Sequence, residues 1–225
     1  MRRAVGALVR KDLRLELRAP QVVPAMATFA VMTLVVFHFA LQRRAVEGDL
    51  AAGVLCVTLL FAAMLGISRL FVADREEGGL DGFLLAPVDR TALLVAKAAV
   101  LCAFLVALEI VAVPGFTILL LGPGLSLGEA ARLAGVLLLL DVGLAVVGTL
   151  VSALAVQTRA RELIAPMLSL PLLVPALIAS GRCVAPLLDD RAPGHVPADW
   201  LTVLGIYDLV FALLAYAVFD FLLED

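Results

Sequence analysis

Charge is scarce in this chain of 225 residues: Asp, Glu, Lys and Arg make up 16% of it, against about 25% in a soluble globular domain. A polypeptide so poor in charge cannot clothe itself in a hydrated surface or neutralise a nucleic-acid backbone, and it is too apolar for a disordered linker. Lysine occurs twice, as Lys11 after Arg10 and Lys97 after Ala96, so neither follows the glycine that a Walker A phosphate loop places before its lysine. The three cysteines, Cys56, Cys102 and Cys183, form no C-x-x-C pair and leave an odd total. They support neither a disulfide framework nor a zinc site and read as small apolar fillers. The two histidines, His38 and His195, make no H-E-x-x-H, and neither G-x-S-x-G nor C-x-x-C-H occurs. The chain is therefore expected not to be an enzyme and to hold no catalytic metal.

What the chain has is hydrophobic length. Hydrophobic residues make up 63% and the mean hydropathy is +1.09, whereas a soluble domain runs nearer about 45–50% apolar. A bilayer supplies the missing apolar surroundings. Runs of helical length at about 22–41, 50–68, 92–121, 133–156, 163–179 and 201–223 each meet the roughly 20 residues that a spanning helix needs. They are continuously apolar rather than alternating, so closed β-strands are excluded. The expected fold is all-α, a single polytopic membrane domain over residues 1–225 with six transmembrane helices. Seventeen Lys and Arg divide twelve to one side and five to the other, which puts both termini in the cytoplasm. Arg43 and Arg44 are the exception, since they flank a span on the outer side. The start of the chain does not read as a cleaved leader, because its first apolar stretch is broken by charge from Arg10 onward.

Three cytoplasmic features carry the functional reading. The first is residues 1–20, an amphipathic helix on the membrane surface. Arg3, Arg10, Lys11, Arg14 and Arg18 fall in one arc, and Val5, Leu8, Val9, Leu13 and Leu17 occupy the other, interrupted by Asp12 and Glu16. The cations suit anionic lipid head groups, and the two acids suit a protein neighbour rather than acyl chains. The second is the segment 69–91 between spans two and three. Its charges lead the chain out of the bilayer, Gly78-Gly79 allows a sharp turn, Leu80, Phe83 and Leu84 recur at helical spacing, and Pro87 stops the helix. A short cytoplasmic helix gripped between two spans can transmit force; the competing reading is a solvated loop with one amphipathic turn. The third, the basic loop at Arg159 and Arg161, is an orientation signal only.

The run Asp74-Arg-Glu76-Glu77-Gly78-Gly-Leu80-Asp81, followed by Phe83-Leu84-Leu-Ala-Pro87-Val-Asp89-Arg90 and Lys97, resembles the loop between spans two and three of ABC-2-type exporter permeases. With Arg10-Lys11-Asp12-Leu-Arg14-Leu-Glu16-Leu-Arg18 at the start and Pro166, Pro171 and Pro175 in span five, the whole chain is more narrowly similar to the haem exporter protein B family of bacterial c-type cytochrome maturation. The resemblance implies a permease that dimerises, sits in the bacterial inner membrane and docks a separate ATPase through the 74–85 segment as a coupling helix. ATP is then bound by that partner. Haem is the cargo of a complex that includes a haem-handling membrane subunit, and the permease either moves haem or releases a haem-loaded chaperone.

Lys97, Glu109 and Asp141 lie within spans, where an ionisable group costs roughly 2.5 kcal/mol or more, so they are expected to face the bundle interior. Lys97 stands about one turn from the cytoplasmic end and can snorkel to the surface. Glu109 is about 25 Å along span three and Asp141 about 12 Å into span four from the outer side, at similar depth, so the two carboxylates share a proton or a cation, or each faces its own polar neighbour. The three prolines weaken span five as a bending point or fix a static kink. His38 and His195 stand on the outer side as the candidate haem ligands but read more readily as hydrogen-bonded or loop residues. Trp200, the one tryptophan, suits an interfacial anchor. Two other readings fit the composition: an ABC-2 permease for a lipid-like or drug-like substrate, and a proton-driven secondary transporter using Glu109 and Asp141. The latter would require inverted repeats with paired broken helices, and one strongly broken span is all the chain offers.

Overall fold

In hydrocarbon no water is available to backbone N–H and C=O groups, and a helix is the one segment shape that satisfies them internally. Each long apolar run takes that shape. The computed structural model describes residues 2–41, 45–72, 90–122, 124–156, 161–189 and 195–222. Its helices are α1 (Arg2–Arg18), α2 (Val22–Leu41), α3 (Gly48–Arg69), α4 (Arg90–Phe116), α5 (Leu127–Val156), α6 (Arg161–Val184) and α7 (Ala198–Leu222). Six of them, α2 to α7, are long and apolar enough to cross a membrane. The protein is an all-helical, multi-pass membrane protein.

Two helices form the centre. Within their most apolar windows α3 is 72% and α5 67% buried, whereas α2 and α7 at the periphery reach 17% and 22%. Without a hydrophobic force between helices in lipid, close approach of backbones is what holds such a bundle, and small residues permit it. Gly148 of α5 faces Ile67 of α3 so tightly that a methyl group there would stand 2.6 Å from Ile67 Cγ1. One turn on, the Ser152 hydroxyl donates to the Ile67 carbonyl at 2.8 Å, so packing and hydrogen bonding meet at the same turn. The remaining spans lean on this pair: α2 on α3 and α4, α6 on α3 and α5, and α7 on α5 and α6.

Two boundaries differ most from the sequence expectation. The fourth span begins at Leu127 rather than 133, because Ser126 and Glu129 form a reciprocal cap. The Ser126 N–H and Oγ donate to Glu129 Oε2 at 2.9 and 2.7 Å, and the Glu129 N–H returns to Ser126 Oγ at 3.3 Å. The fifth continues past 179 to Val184 and a 3-10 turn, Ala185–Leu187. Span three ends in a wider turn, Thr117–Leu121, just after Pro114 removes a helical N–H. That turn offers its carbonyls outward. Val46 N–H donates to the Leu120 carbonyl at 2.7 Å, and His38 Nδ1 to the Leu119 carbonyl at 2.5 Å.

Candidate functional site

The sequence reading centres on the coupling segment, and its named residues Asp74, Glu76, Glu77, Gly78, Leu80, Asp81, Phe83 and Leu84 all lie outside the described residues. So do Pro87 and Arg159. What the structure describes is the ground on either side: Leu70 and Phe71, both buried at the end of α3, and the first turns of α4.

At that end of the bundle α1 packs against α4. The stripe it turns inward is Ala4, Val5, Leu8, Val9, Asp12, Leu13 and Glu16, while Arg10, Lys11, Arg14 and Arg18 face outward and are exposed. Leu8, Val9 and Leu13 touch the bundle core. Leu17, expected on the apolar side, is instead 82% exposed. The two acids on the inward stripe both find partners in their own chain. Glu16 Oε1 accepts the N–H groups of Gln21 at 3.0 Å and Val23 at 2.9 Å, supplying the first donors of α2 with an acceptor that the helix itself cannot give. Asp12 Oδ2 pairs with Lys97 Nζ at 2.7 Å.

Lys97 departs from the snorkelling expectation. It is 4% exposed, and its ammonium is met within the protein by Asp12, by the Leu70 carbonyl at 3.2 Å, and by the Phe71 ring with its centroid 5.4 Å away. Three strong partners inside the fold replace the water and head groups that a snorkelling lysine seeks.

Deeper in the bundle, Glu109 of α4 and Asp141 of α5 interact electrostatically with each other and with Cys102. Glu109 Oε1 and Asp141 Oδ2 are buried without a hydrogen-bond partner among the described residues. A third acid escapes the sequence reading. Asp208 of α7 is buried, with both carboxylate oxygens unpartnered among the described residues, and Oδ1 stands only 2.5 Å from where a methyl group on Gly143 would lie. An acid in the middle of span six is visible in the sequence; its seat on a bare glycine of another helix is not.

Pro166, Pro171 and Pro175 share one continuous helix, α6. Between the last two, the Leu172 carbonyl accepts a hydrogen bond from the Tyr207 hydroxyl of α7 at 2.8 Å, so a neighbouring helix supplies a donor in the turn that the prolines deprive. His38 Nδ1 is engaged by the Leu119 carbonyl and its ring meets Phe39 edge-on at 5.2 Å, whereas His195 is exposed in the stretch before α7. Trp200 sits in the first turn of α7, partly exposed.

This arrangement of six spans and a docked amphipathic helix has relatives. The chain is 34% identical over 181 residues to the heme exporter protein B of Rhodobacter capsulatus, covering 79% of this chain and 81% of that one. It is 31% identical over 218 residues to the protein of the same name from Bradyrhizobium diazoefficiens, covering 95% and 96%. With the one from Pseudomonas aeruginosa it shares 30% identity over 225 residues, 96% of each chain. A family profile described as CcmB protein matches residues 3–221, α1 through the last span, and on that match the chain belongs to the CcmB protein family.

Proposed function

We propose that the chain is the membrane permease subunit of an ATP-driven complex that exports haem, or releases a haem-loaded chaperone, for c-type cytochrome assembly. The observation that carries this reading is the match to heme exporter B relatives along nearly the full length of the chain, spans and surface helix included. The energy comes from a separate ATPase, since neither Lys11 nor Lys97 stands in a phosphate-binding loop. Docking falls to residues 74–85, whose short hydrophobic repeat between Gly79 and Pro87 lies in the sequence between α3 and α4. Twelve cations against five put α1 and both termini on the cytoplasmic side, facing that ATPase. The working unit pairs two copies of the chain and includes a haem-handling membrane subunit; with a single tryptophan and two separated histidines, this chain acts as its mechanical partner.

Copurification from membranes tests the assignment. The wild-type chain retains a nucleotide-hydrolysing partner, and the Leu80→Asp, Leu84→Asp variant loses it while still accumulating in the membrane. Equal retention by both would remove docking from this segment, and labelling of a Gly82→Cys variant from the periplasmic side would invert the orientation.

A further inference from the structure

The buried cation at the root of the coupling segment joins parts of the chain that are far apart in sequence. Lys97 lies on α4 two turns after the segment ends, and the Leu70 carbonyl that it binds at 3.2 Å lies at the end of α3, just before the segment begins. Both roots of the segment are thus held by one ammonium. Its third tie, to Asp12 at 2.7 Å, is to α1, and Asp12 Oδ1 is in turn 3.2 Å from Lys11 Nζ. From Asp12 the connection continues one turn along α1 to Glu16, whose carboxylate holds the first N–H groups of α2.

Stability does not account for this pair. Taking an ammonium and a carboxylate out of water costs about as much as their attraction returns, and apolar residues of the same volume commonly hold such a site as well or better. What a buried ion pair gives is register, because it tolerates one relative placement of the elements that carry it.

We propose that Lys97 is the positioning residue through which movement of the coupling segment reaches α1 and, through Glu16, the first span. A push on residues 73–89 displaces the ends of α3 and α4, and the Lys97–Asp12 pair obliges α1 to follow rather than slide. The outward arginines of α1 then ride on an element that moves with the motor. The proposal rests on the reading of residues 74–85 as the ATPase docking site.

The test uses the whole complex, coexpressed with its ATPase and haem-handling partners. Three variants are compared with wild type: Lys97→Met; the neutral double variant Asp12→Asn, Lys97→Met; and the conservative Lys97→Arg. Four quantities are read: chain in the membrane, ATPase retained, ATP hydrolysed, and haem-stained holocytochrome c formed. In Lys97→Met the ATPase stays bound and active, while holocytochrome formed per ATP falls by about tenfold, the scale of a coupling contact. If Lys97→Met fails to accumulate, the neutral double variant, which leaves no buried charge unpaired, carries the same expectation. Lys97→Arg, whose guanidinium can still donate to Asp12 and to the Leu70 carbonyl, keeps most of the yield that Lys97→Met loses, which a general loss of packing would not allow. Wild-type yield per ATP without Lys97 overturns the proposal, as does loss of the bound ATPase, which would place Lys97 in docking. A Lys97→Arg variant no better than Lys97→Met overturns it too. A wild-type chain that retains no ATPase sinks the docking reading and this proposal together, whereas a normal complex with a normal Lys97→Met sinks this proposal alone.

Discussion

Lys97 and the acids of the bundle interior are alike in burial and opposite in company. At the α1 end of the bundle the ammonium has a carboxylate, a carbonyl and an aromatic ring around it, and Glu16 nearby holds two backbone donors. Deeper in the bilayer, Asp208 has no partner among the described residues for either oxygen, and Glu109 and Asp141 each leave one oxygen unmet. A polar group without a partner in hydrocarbon is costly, so residues of this kind persist for reasons other than stability. The contrast separates a charge that joins elements from interior acids whose carboxylate oxygens lack a partner among the described residues.

The strongest way to break that contrast is to neutralise the interior pair. Glu109→Gln with Asp141→Asn is expected to abolish cytochrome c maturation in a complementation assay while the chain's abundance in the membrane is unchanged, since no described hydrogen bond is lost at the orphaned oxygens. Normal complementation would remove both acids from the mechanism, and loss of the chain from the membrane would mean that they are structural after all.

A second test asks whether Asp208 is tolerated only because Gly143 makes room for it. Gly143→Ala pushes a methyl group into the carboxylate and is expected to cost about 2 kcal/mol of stability, read as a lower midpoint in detergent-solubilised thermal unfolding. In an Asp208→Ala background the same change should be nearly free, giving a coupling of about 1 kcal/mol or more. Additive losses would show that the two residues do not share the contact.

The smallest effect sharpens the other side of the comparison. Arg182 and Asp49 form an ion pair at 3.8 Å with side chains 58% and 83% exposed. Arg182→Ala should change stability by less than about 0.5 kcal/mol, because a pair in water gains little. If it costs as much as a buried contact, exposure in the isolated chain understates how the outer surface is covered in the complex.

Much of this architecture is legible in the sequence. Continuous apolar runs and the absence of alternation give six helices, and the first and third spans fall within a residue of where the runs place them. The inward acids on the surface helix are legible too, because Asp12 and Glu16 interrupt an apolar stripe. The choice of central helices is not local: the second and third spans are almost equally apolar yet differ in burial, and α3 meets α5 where Gly148 and Ser152 fit Ile67, a match between residues about eighty apart. The start of the fourth span is encoded in Ser126-x-x-Glu129 as a capping box, a weaker signal than the apolar run from residue 133 onward. Asp12 and Lys97 could each be placed near the cytoplasmic surface, but nothing local in the chain announces that they meet. Asp208 is visible as an acid within span six, but its seat against Gly143 depends on a residue of another helix and is not.

The wide turn that closes α4 has a mechanical corollary. Its carbonyls are stitched to His38 and to Val46, while Gly48 N–H is fastened to the Leu188 carbonyl at 3.0 Å, so four helices are joined in one seam at the end of the bundle away from α1. Under the proposed docking of an ATPase at residues 74–85, a push enters at the end of the bundle opposite this seam, so the helix ends beside α1 would spread while those in the seam keep their neighbours.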